Sequence, residues 1–183
     1  DIQLTKFVNS GNGRMITNGG KARSLGAEAT IQARITSNLT ANINYGYTNA
    51  TFRNYFHEEK QGSEIIRTDY KGNHIPYTPS HTFSAGLQYS KLLNNCWLDQ
   101  FTASAQYSGA GKIWWTEKND IGQDFYGTVN GKVGVRKGNI KLDVWTRNLL
   151  DADYTAFYFE SFGNPYMQKG KPFQVGAEVS VAF

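Results

Sequence analysis

The chain has 183 residues, a net charge of +4, a hydrophobic fraction of only 39% and a mean hydropathy of −0.52. The length supports one domain with a core, and with no run of about 18 apolar residues a transmembrane helix is excluded, although membrane-spanning strands are not. The 19 basic residues are scattered without a basic run, which argues against nucleic acid as a partner, and the single cysteine, Cys96, excludes an internal disulfide.

Glycine (19), tyrosine (11) and phenylalanine (11) are abundant while proline (4) and methionine (2) are scarce, and no helical periodicity accompanies them. That composition points to an all-β chain. Asp1-Ile2-Gln3-Leu4-Thr5-Lys6 has neither a basic start nor an apolar run, so it is not an export signal. The expectation is a mature chain or a piece of a longer one.

About eight strands are predicted. The first, Ile2 to Val8, is weakly patterned and leads into a Gly- and Asn-rich loop from Asn9 to Gly20. The second alternates Leu25, Ala27, Ala29, Ile31, Ala33 and Ile35 with Ser24, Gly26, Glu28, Thr30, Gln32 and Arg34. Side chains of a strand repeat every two residues, so this is one oily and one polar face. After a short turn at Thr36-Ser37-Asn38, the third sets Leu39, Ala41, Ile43, Tyr45 and Tyr47 against Thr40, Asn42, Asn44, Gly46 and Thr48. A long polar loop from Asn54 to Ser80 contains Pro76 and Pro79, which disfavour a central strand.

The fourth strand sets Phe83, Ala85, Leu87 and Tyr89 against Thr82, Ser84, Gly86 and Gln88, and ends at a short turn around Leu93-Asn94-Asn95. The fifth runs from Phe101 to Ser108, followed by a loop carrying Trp114-Trp115. The sixth spans Gln123 to Arg136, turns at Lys137-Gly138-Asn139, and the seventh spans Ile140 to Arg147. A long loop, Asn148 to Lys169, precedes a terminal strand in which Phe173, Val175, Ala177, Val179, Val181 and Phe183 share one face.

Long and short connections therefore alternate, the asymmetry of a barrel with short turns on one side of a membrane and long loops on the other. The polar face carries Glu28, Gln32, Arg34, Asn42, Asn44, Gln88, Lys132, Lys141, Asp143 and Glu178. Unpaired charge is costly to bury, so this face belongs in a hydrated lumen and the oily face in lipid. Aromatics gather at the strand ends. Tyr45, Tyr47, Phe52, Tyr55, Phe56, Tyr89, Tyr107, Trp114 and Trp115 are expected at the long-loop side, and Trp97, Phe101 and Phe183 at the short-turn side.

Three stretches resemble the C-terminal β-barrel part of TonB-dependent outer-membrane receptors. Ile16 to Glu28 is similar to the family's N-x-G strand start, and Asn148-Leu149-Leu150-Asp151-Ala152-Asp153-Tyr154 to its N-L-x-D-x-x-Y segment. Gly170-Lys171-Pro172-Phe173 through Phe183 is similar to its closing strand, with Phe173 where that pattern usually has Arg. The resemblance implies an antiparallel up-and-down barrel of about 22 strands around an N-terminal plug. Residues 1–183 would form its last third, with the plug and the TonB-contacting box upstream and both ends of the segment on the periplasmic, short-turn side. It further implies import of a scarce solute (siderophore, haem, cobalamin or glycan), powered by an inner-membrane energy-transducing complex that contacts the missing N-terminal parts. Outer-membrane lipid would surround the strands. The barrel-assembly machinery would engage the terminal strand through Phe173, Val175, Val179, Val181 and Phe183.

No catalytic constellation is present: Ser84 and Ser104 lack a neighbouring His/Asp pattern, and Gly11-Asn12-Gly13 has no strand–helix context for phosphate. No cofactor, metal or enzymatic activity is expected. His74 and His81, in and beside a Pro-containing loop, are candidate ligand contacts, with a solvated loop as the simpler reading. Trp114, Trp115, Phe157 and Tyr158 are candidates for stacking on a solute, with an interfacial girdle as the alternative and favoured reading. Two other readings of the whole chain stand beside the receptor. A stand-alone eight-stranded outer-membrane barrel, adhesin-like or lipid-binding, would pair its inward charges across a small lumen. A soluble lipocalin-like barrel would have its oily face inside.

Overall fold

The computed structural model describes residues 3–7, 14–18, 20–61, 64–93, 97–161 and 163–183, with the backbone alone at 3–7, 14–18 and 59–61. All its regular elements are strands: β1 (Gln3–Phe7), β2 (Arg14–Asn18), β3 (Lys21–Arg34), β4 (Leu39–Asn54), β5 (Phe56–Gln61), β6 (Glu64–Asp69), β7 (His81–Leu92), β8 (Gln100–Ala110), β9 (Ile113–Trp114), β10 (Gly122–Gln123), β11 (Tyr126–Lys137), β12 (Ile140–Arg147), β13 (Thr155–Ser161), β14 (Asn164–Lys169) and β15 (Gln174–Val181). Seven of them build one sheet in the order β15-β12-β11-β8-β7-β4-β3, with every neighbouring pair antiparallel. This is an up-and-down barrel wall, open in this segment, with β3 and β15 at its edges. The other eight strands form four hairpins: β1–β2 ahead of β3, and β5–β6, β9–β10 and β13–β14 on the long connections.

The wall thus has seven strands where eight were expected. The first candidate strand pairs with β2, through Gln3↔Asn18 to Phe7↔Arg14, and takes no part in the wall. Its expected ends at Ile2 and Val8, the turn Gly11-Asn12-Gly13, and Asn94-Asn95 lie outside the described residues. The wall begins at its long-loop end, where Lys21 pairs with Asn54, and not at the short-turn end that an even strand count requires. The connections expected as plain loops hold hairpins because a long chain excursion above a sheet satisfies its backbone donors most simply by pairing with itself.

Register confirms the two faces. Ile31 pairs with Ile43 and Ile43 with Ala85; Ala29 pairs with Tyr45 and Tyr45 with Phe83. These apolar positions are the exposed ones: Ile31 is 62% and Val179 65% accessible, and Leu25, Leu87, Val133, Leu142, Val144 and Val175 are exposed with them. On the opposite face Asp143 is 2% accessible. A water-soluble barrel has the reverse arrangement, so the soluble, lipocalin-like reading does not describe this wall.

The inward charges pair along the wall. Asp143 Oδ2 lies 2.9 Å from Lys141 Nζ and 3.1 Å from Lys132 Nζ, and Lys132 also reaches Glu178 at 3.7 Å. β11, β12 and β15 are thereby cross-linked on the lumen side, with Asp143↔Glu178 and Gly134↔Asp143 in register. Gly134 is required here: a Cβ on it would overlap Asp143 Oδ1 and crowd Thr102 Oγ1. The inward charges meet between neighbouring strands and β3 does not pair with β15, so the stand-alone closed barrel is not what is observed.

Aromatics occupy both ends of the outward face. Tyr45, Tyr47, Phe83 and Tyr107 lie at the long-loop end, with Phe83 and Tyr107 5.9 Å apart. Tyr89, expected with them, is at the short-turn end, paired with Leu39 and Ala103 and 6.2 Å from Phe101. Strand β7 runs downward from His81, so its C-terminal residues face the short turns. Phe52 and Tyr55 are also not in the belt; both are buried on the inward side. At the short-turn end Asp99 accepts from Gly138 N–H at 2.6 Å and from Lys137 Nζ at 2.9 Å, which holds its carboxyl below the usual carboxylate range.

Candidate functional site

Where the long connections meet, they build a cap with its own small cores. In one, Phe52, Tyr55 and Tyr70 are buried together with Ile75 packed against them; the Phe52 and Tyr55 rings are 4.8 Å apart and those of Tyr55 and Tyr70 5.7 Å. Alternation along β4 carries Phe52 inward with Ala50, and a bulge just beyond it, where Lys21 pairs with Asn54 but Ala22 with Phe52, brings Tyr55 to the same side. In the other, Ile113, Trp115 and Tyr158 are buried with Ala110, Ile121 and Tyr126 around them.

Tyr77 joins three connections. Its ring lies 5.6 Å from Trp115 and 5.5 Å from Phe157, and its hydroxyl donates to the Tyr158 carbonyl at 3.0 Å. Its φ of 61° places it in the left-handed region, a strained conformation for a tyrosine that the surrounding contacts hold. Burial, then Glu117 and Glu160, raise its phenol. Tyr158 donates to Glu160 Oε1 at 2.8 Å, and its phenol is pushed up to about 12, by burial first and Glu160 second. Both hydroxyls are therefore neutral donors at physiological pH.

The sequence-predicted site residues separate into three groups. Trp115 and Tyr158 are core residues of the cap. Trp114 is half-buried under the Lys112 ammonium, 4.2 Å from its ring, and Phe157 is exposed beside Tyr77 and Phe159. His74 is held by its backbone: its N–H donates to Asn119 Oδ1 at 2.6 Å and its carbonyl accepts from Asn119 Nδ2 at 2.9 Å. His81 instead stands on the outward wall face, with Nδ1 2.8 Å from the Tyr45 hydroxyl and its ring 5.1 Å from Tyr47. His74 and His81 are therefore not brought together, and no group of three or more His, Cys, Asp or Glu able to hold a metal occurs among the described residues. In the terminal strand Phe173, Val175, Val179, Val181 and Phe183 are all exposed.

Sequence reasoning overlooked Asn148 and Tyr77 as the organisers of this end of the molecule. Asn148, 4% accessible, donates Nδ2 to the carbonyls of Ala152 and Lys171, both at 3.0 Å, and accepts from Ala152 N–H at 2.9 Å. Its N–H donates to Asn130 Oδ1. Asp151 Oδ1 accepts from Phe173 N–H at 2.7 Å, so this clasp uses the backbone and is indifferent to the side chain at 173. Tyr154 stacks on Tyr126 at 4.2 Å and lies over Gly170, where a Cβ would overlap its ring. The spacing of Asn148, Asp151 and Tyr154 was the available signal: three polar or aromatic residues that each anchor the start of the last long connection.

Residues 1–149 match the family model for the TonB dependent receptor-like β-barrel. The chain belongs to this family. Solved receptors share the fold. The ferric yersiniabactin uptake receptor FyuA of Yersinia pestis superposes with a TM-score of 0.76 at 18% identity, over 92% of this chain and 25% of its own. The siderophore receptor PiuA of Acinetobacter baumannii gives 0.73 at 18%, over 97% and 24%. The ferric preacinetobactin receptor BauA of the same organism gives 0.66 at 11%, over 98% and 25%. The chain therefore spans about a quarter of the length of these receptors. Membership in the TonB-dependent receptor family sets the wall in the bacterial outer membrane, in agreement with its exposed apolar face.

Proposed function

We propose that this chain is the C-terminal wall and cap of a receptor that imports a scarce solute, a ferric siderophore before haem, cobalamin or a glycan. The observation that carries this reading is the inverted wall, apolar outside and ion-paired inside, ending in a cap of convergent loops. A lumen lined by Lys132, Asp143 and Glu178 is a place for water and a plug, not for lipid. The solved receptors that share the fold are described as siderophore receptors, which favours that solute class.

In this reading the long connections face the outside of the cell, and the short turns and Phe183 face the periplasm. The plug and the segment that contacts the energy-transducing complex lie upstream, in a barrel of about 22 strands. Phe157 and Trp114, the accessible rings of the cap, contact the solute, while Trp115 and Tyr158 hold the surface that presents them. His74 contributes position through its backbone. The terminal strand is offered to the assembly machinery.

The test uses the full-length receptor. Cells carrying it are starved of iron and supplied with a panel of ferric siderophores, and binding to the purified receptor is followed by tryptophan fluorescence. Growth and saturable binding with one chelate are expected, with Phe157→Ala weakening that binding roughly two- to tenfold, the range for one aromatic contact. Uptake of a glycan or cobalamin with indifference to every ferric chelate would replace the solute class. Unchanged binding in Phe157→Ala and Trp114→Ala would remove the cap residues from the site.

A further inference from the structure

The inward face of the wall divides its charge unevenly. On β4 up to Phe52, and along β7 and β8, every inward position is an amide, a hydroxyl, a glycine or an apolar residue. Asn44 Nδ2 donates to Ser84 Oγ at 3.0 Å across that surface. Such groups hydrate a lumen without any charge. The last three strands differ: β11, β12 and β15 place Lys132, Arg136, Lys141 and Arg147 inward against only Asp143 and Glu178. Asp143 is enclosed beneath Lys132 and Lys141, so a solute in the lumen meets four cations and one accessible carboxylate, Glu178. Arg136 and Arg147 are exposed, and among the described residues neither forms an ion pair.

These cations are stacked in depth. Arg147 is the uppermost, with its Cζ 5.1 Å from the Trp145 ring, and that ring extends over Gly176, where a Cβ would overlap it. With Asn130, Lys132 and Glu178 they border a groove of about 310 Å³ on the lumen side. Asn148, next in the chain, is the buried residue at which β12 enters the cap, so the groove is continuous with the surface proposed to bind the solute. Lys132 stands one row lower, opposite Trp145, and Arg136 and Lys141 face each other lower still. At about 3.3 Å per residue and a tilt of about 45°, the stretch from Arg147 down to Lys141 covers roughly 14 Å of depth, near half of a hydrocarbon layer of about 30 Å.

We infer that this strip is a transit path for an anionic ferric chelate, with Arg147, Trp145 and Lys132 as its first station below the cap and Lys141 with Arg136 as its second. Like charges along a low-dielectric wall concentrate the oppositely charged solute, and several weak stations in sequence let it enter and still leave. Asp143 takes no part in binding; it holds Lys132 and Lys141 in place. The inference rests on the siderophore reading above and narrows it to chelates of net negative charge.

The test uses cells carrying the full-length receptor and three radioiron probes: ferric citrate, an anionic ferric tricatecholate and a neutral ferric trihydroxamate. The double variant Arg147→Gln/Arg136→Gln, which orphans no carboxylate, is compared with Arg147→Lys/Arg136→Lys. Expected is import of an anionic chelate and not of the neutral one. In the glutamine variant the maximal rate should fall about tenfold while the half-saturating concentration moves less than about twofold, and the lysine variant should restore most of the rate. An unchanged maximal rate in the glutamine variant, or no recovery with lysine, overturns the inference and leaves the siderophore reading standing. Import of the neutral chelate, slowed equally by the glutamine variant, would mean that the arginines hold the plug, and also overturns the inference alone. Import of none of the three chelates overturns the siderophore reading and the transit path with it.

Discussion

The wall and the cap of this molecule bury opposite things. In the wall, Ile31, Ile43, Val133 and Val179 are exposed while Asp143 is enclosed. In the cap, Phe52, Trp115 and Tyr158 are enclosed, as in an ordinary water-soluble domain. The wall's apolar partner is lipid, so its inside is free to be charged. The cap stands in water and must supply its own apolar partners, which it does with two clusters of aromatic rings. One chain thus obeys the same transfer physics with two different solvents.

Truncations and charge substitutions break this comparison in graded ways. Phe52→Ala removes the most enclosed ring of the cap, 1% accessible. It is expected to destabilise that cluster by about 3–5 kcal/mol. Limited proteolysis should then cut the 55–80 connection while the wall stays resistant, both in detergent and in bilayers. Loss of the wall together with the cap would show that the two are not separate cores.

Ile43→Lys comes next. On an exposed site of a soluble protein it is nearly silent; facing the middle of a bilayer it is expected to reduce stability by about 2–4 kcal/mol. Urea titration of refolding into lipid vesicles measures it, and a shift below about 0.5 kcal/mol would mean that this face meets water.

Asp143→Ala leaves Lys132 and Lys141 facing each other without their shared carboxylate. Breaking a buried pair costs about 3–5 kcal/mol. The lysine side chains are 40% and 37% accessible and can rehydrate, so about 1–3 kcal/mol is expected here. The same titration reads it, and a double variant that also removes Lys141 should recover part of the loss.

The smallest effect is a titration. The Tyr158 phenol, pushed up to about 12, donates to Glu160 only while protonated. Its folded value lies above the ordinary one of about 10, so its contribution is present in full below that pH and is lost as pH rises toward 12. Phenolate absorbance should show late-titrating tyrosines, Tyr77 among them, whose amplitude falls by one phenol in Tyr158→Phe, and cap proteolysis should increase over the same interval.

Much of the wall was legible in the sequence. The alternation in Leu25 to Ile35 and in Phe173 to Phe183 depends only on a two-residue period, which survives in any sheet the strand joins. The turns at Thr36-Ser37-Asn38 and Lys137-Gly138-Asn139 were visible for a similar local reason. The cap was much less legible. Nothing local shows that Gln3–Phe7 pairs with Arg14–Asn18 instead of joining the wall, since a weakly patterned strand accepts either partner. His81 read as a loop residue, yet one position of β7 sets it against Tyr45 on the outward face. Tyr89 was placed at the wrong end because the end a residue occupies depends on strand direction, which only the pairing defines.

What the sequence determined by itself was the element type, the oily and polar faces, the alternation of long and short connections, and through its motifs the family. Each of these follows from interactions between residues a few positions apart. What only the tertiary structure decided was the strand count of the wall, the sharing of Asp143 by two lysines, the meeting of Tyr77 with Trp115 and Phe157, and the burial of Tyr55 beside Phe52 that the β4 bulge allows. Each of those joins segments that are distant in the chain or depends on a single register shift. Local pattern carries no information about such contacts; hydrogen-bond register and packing do.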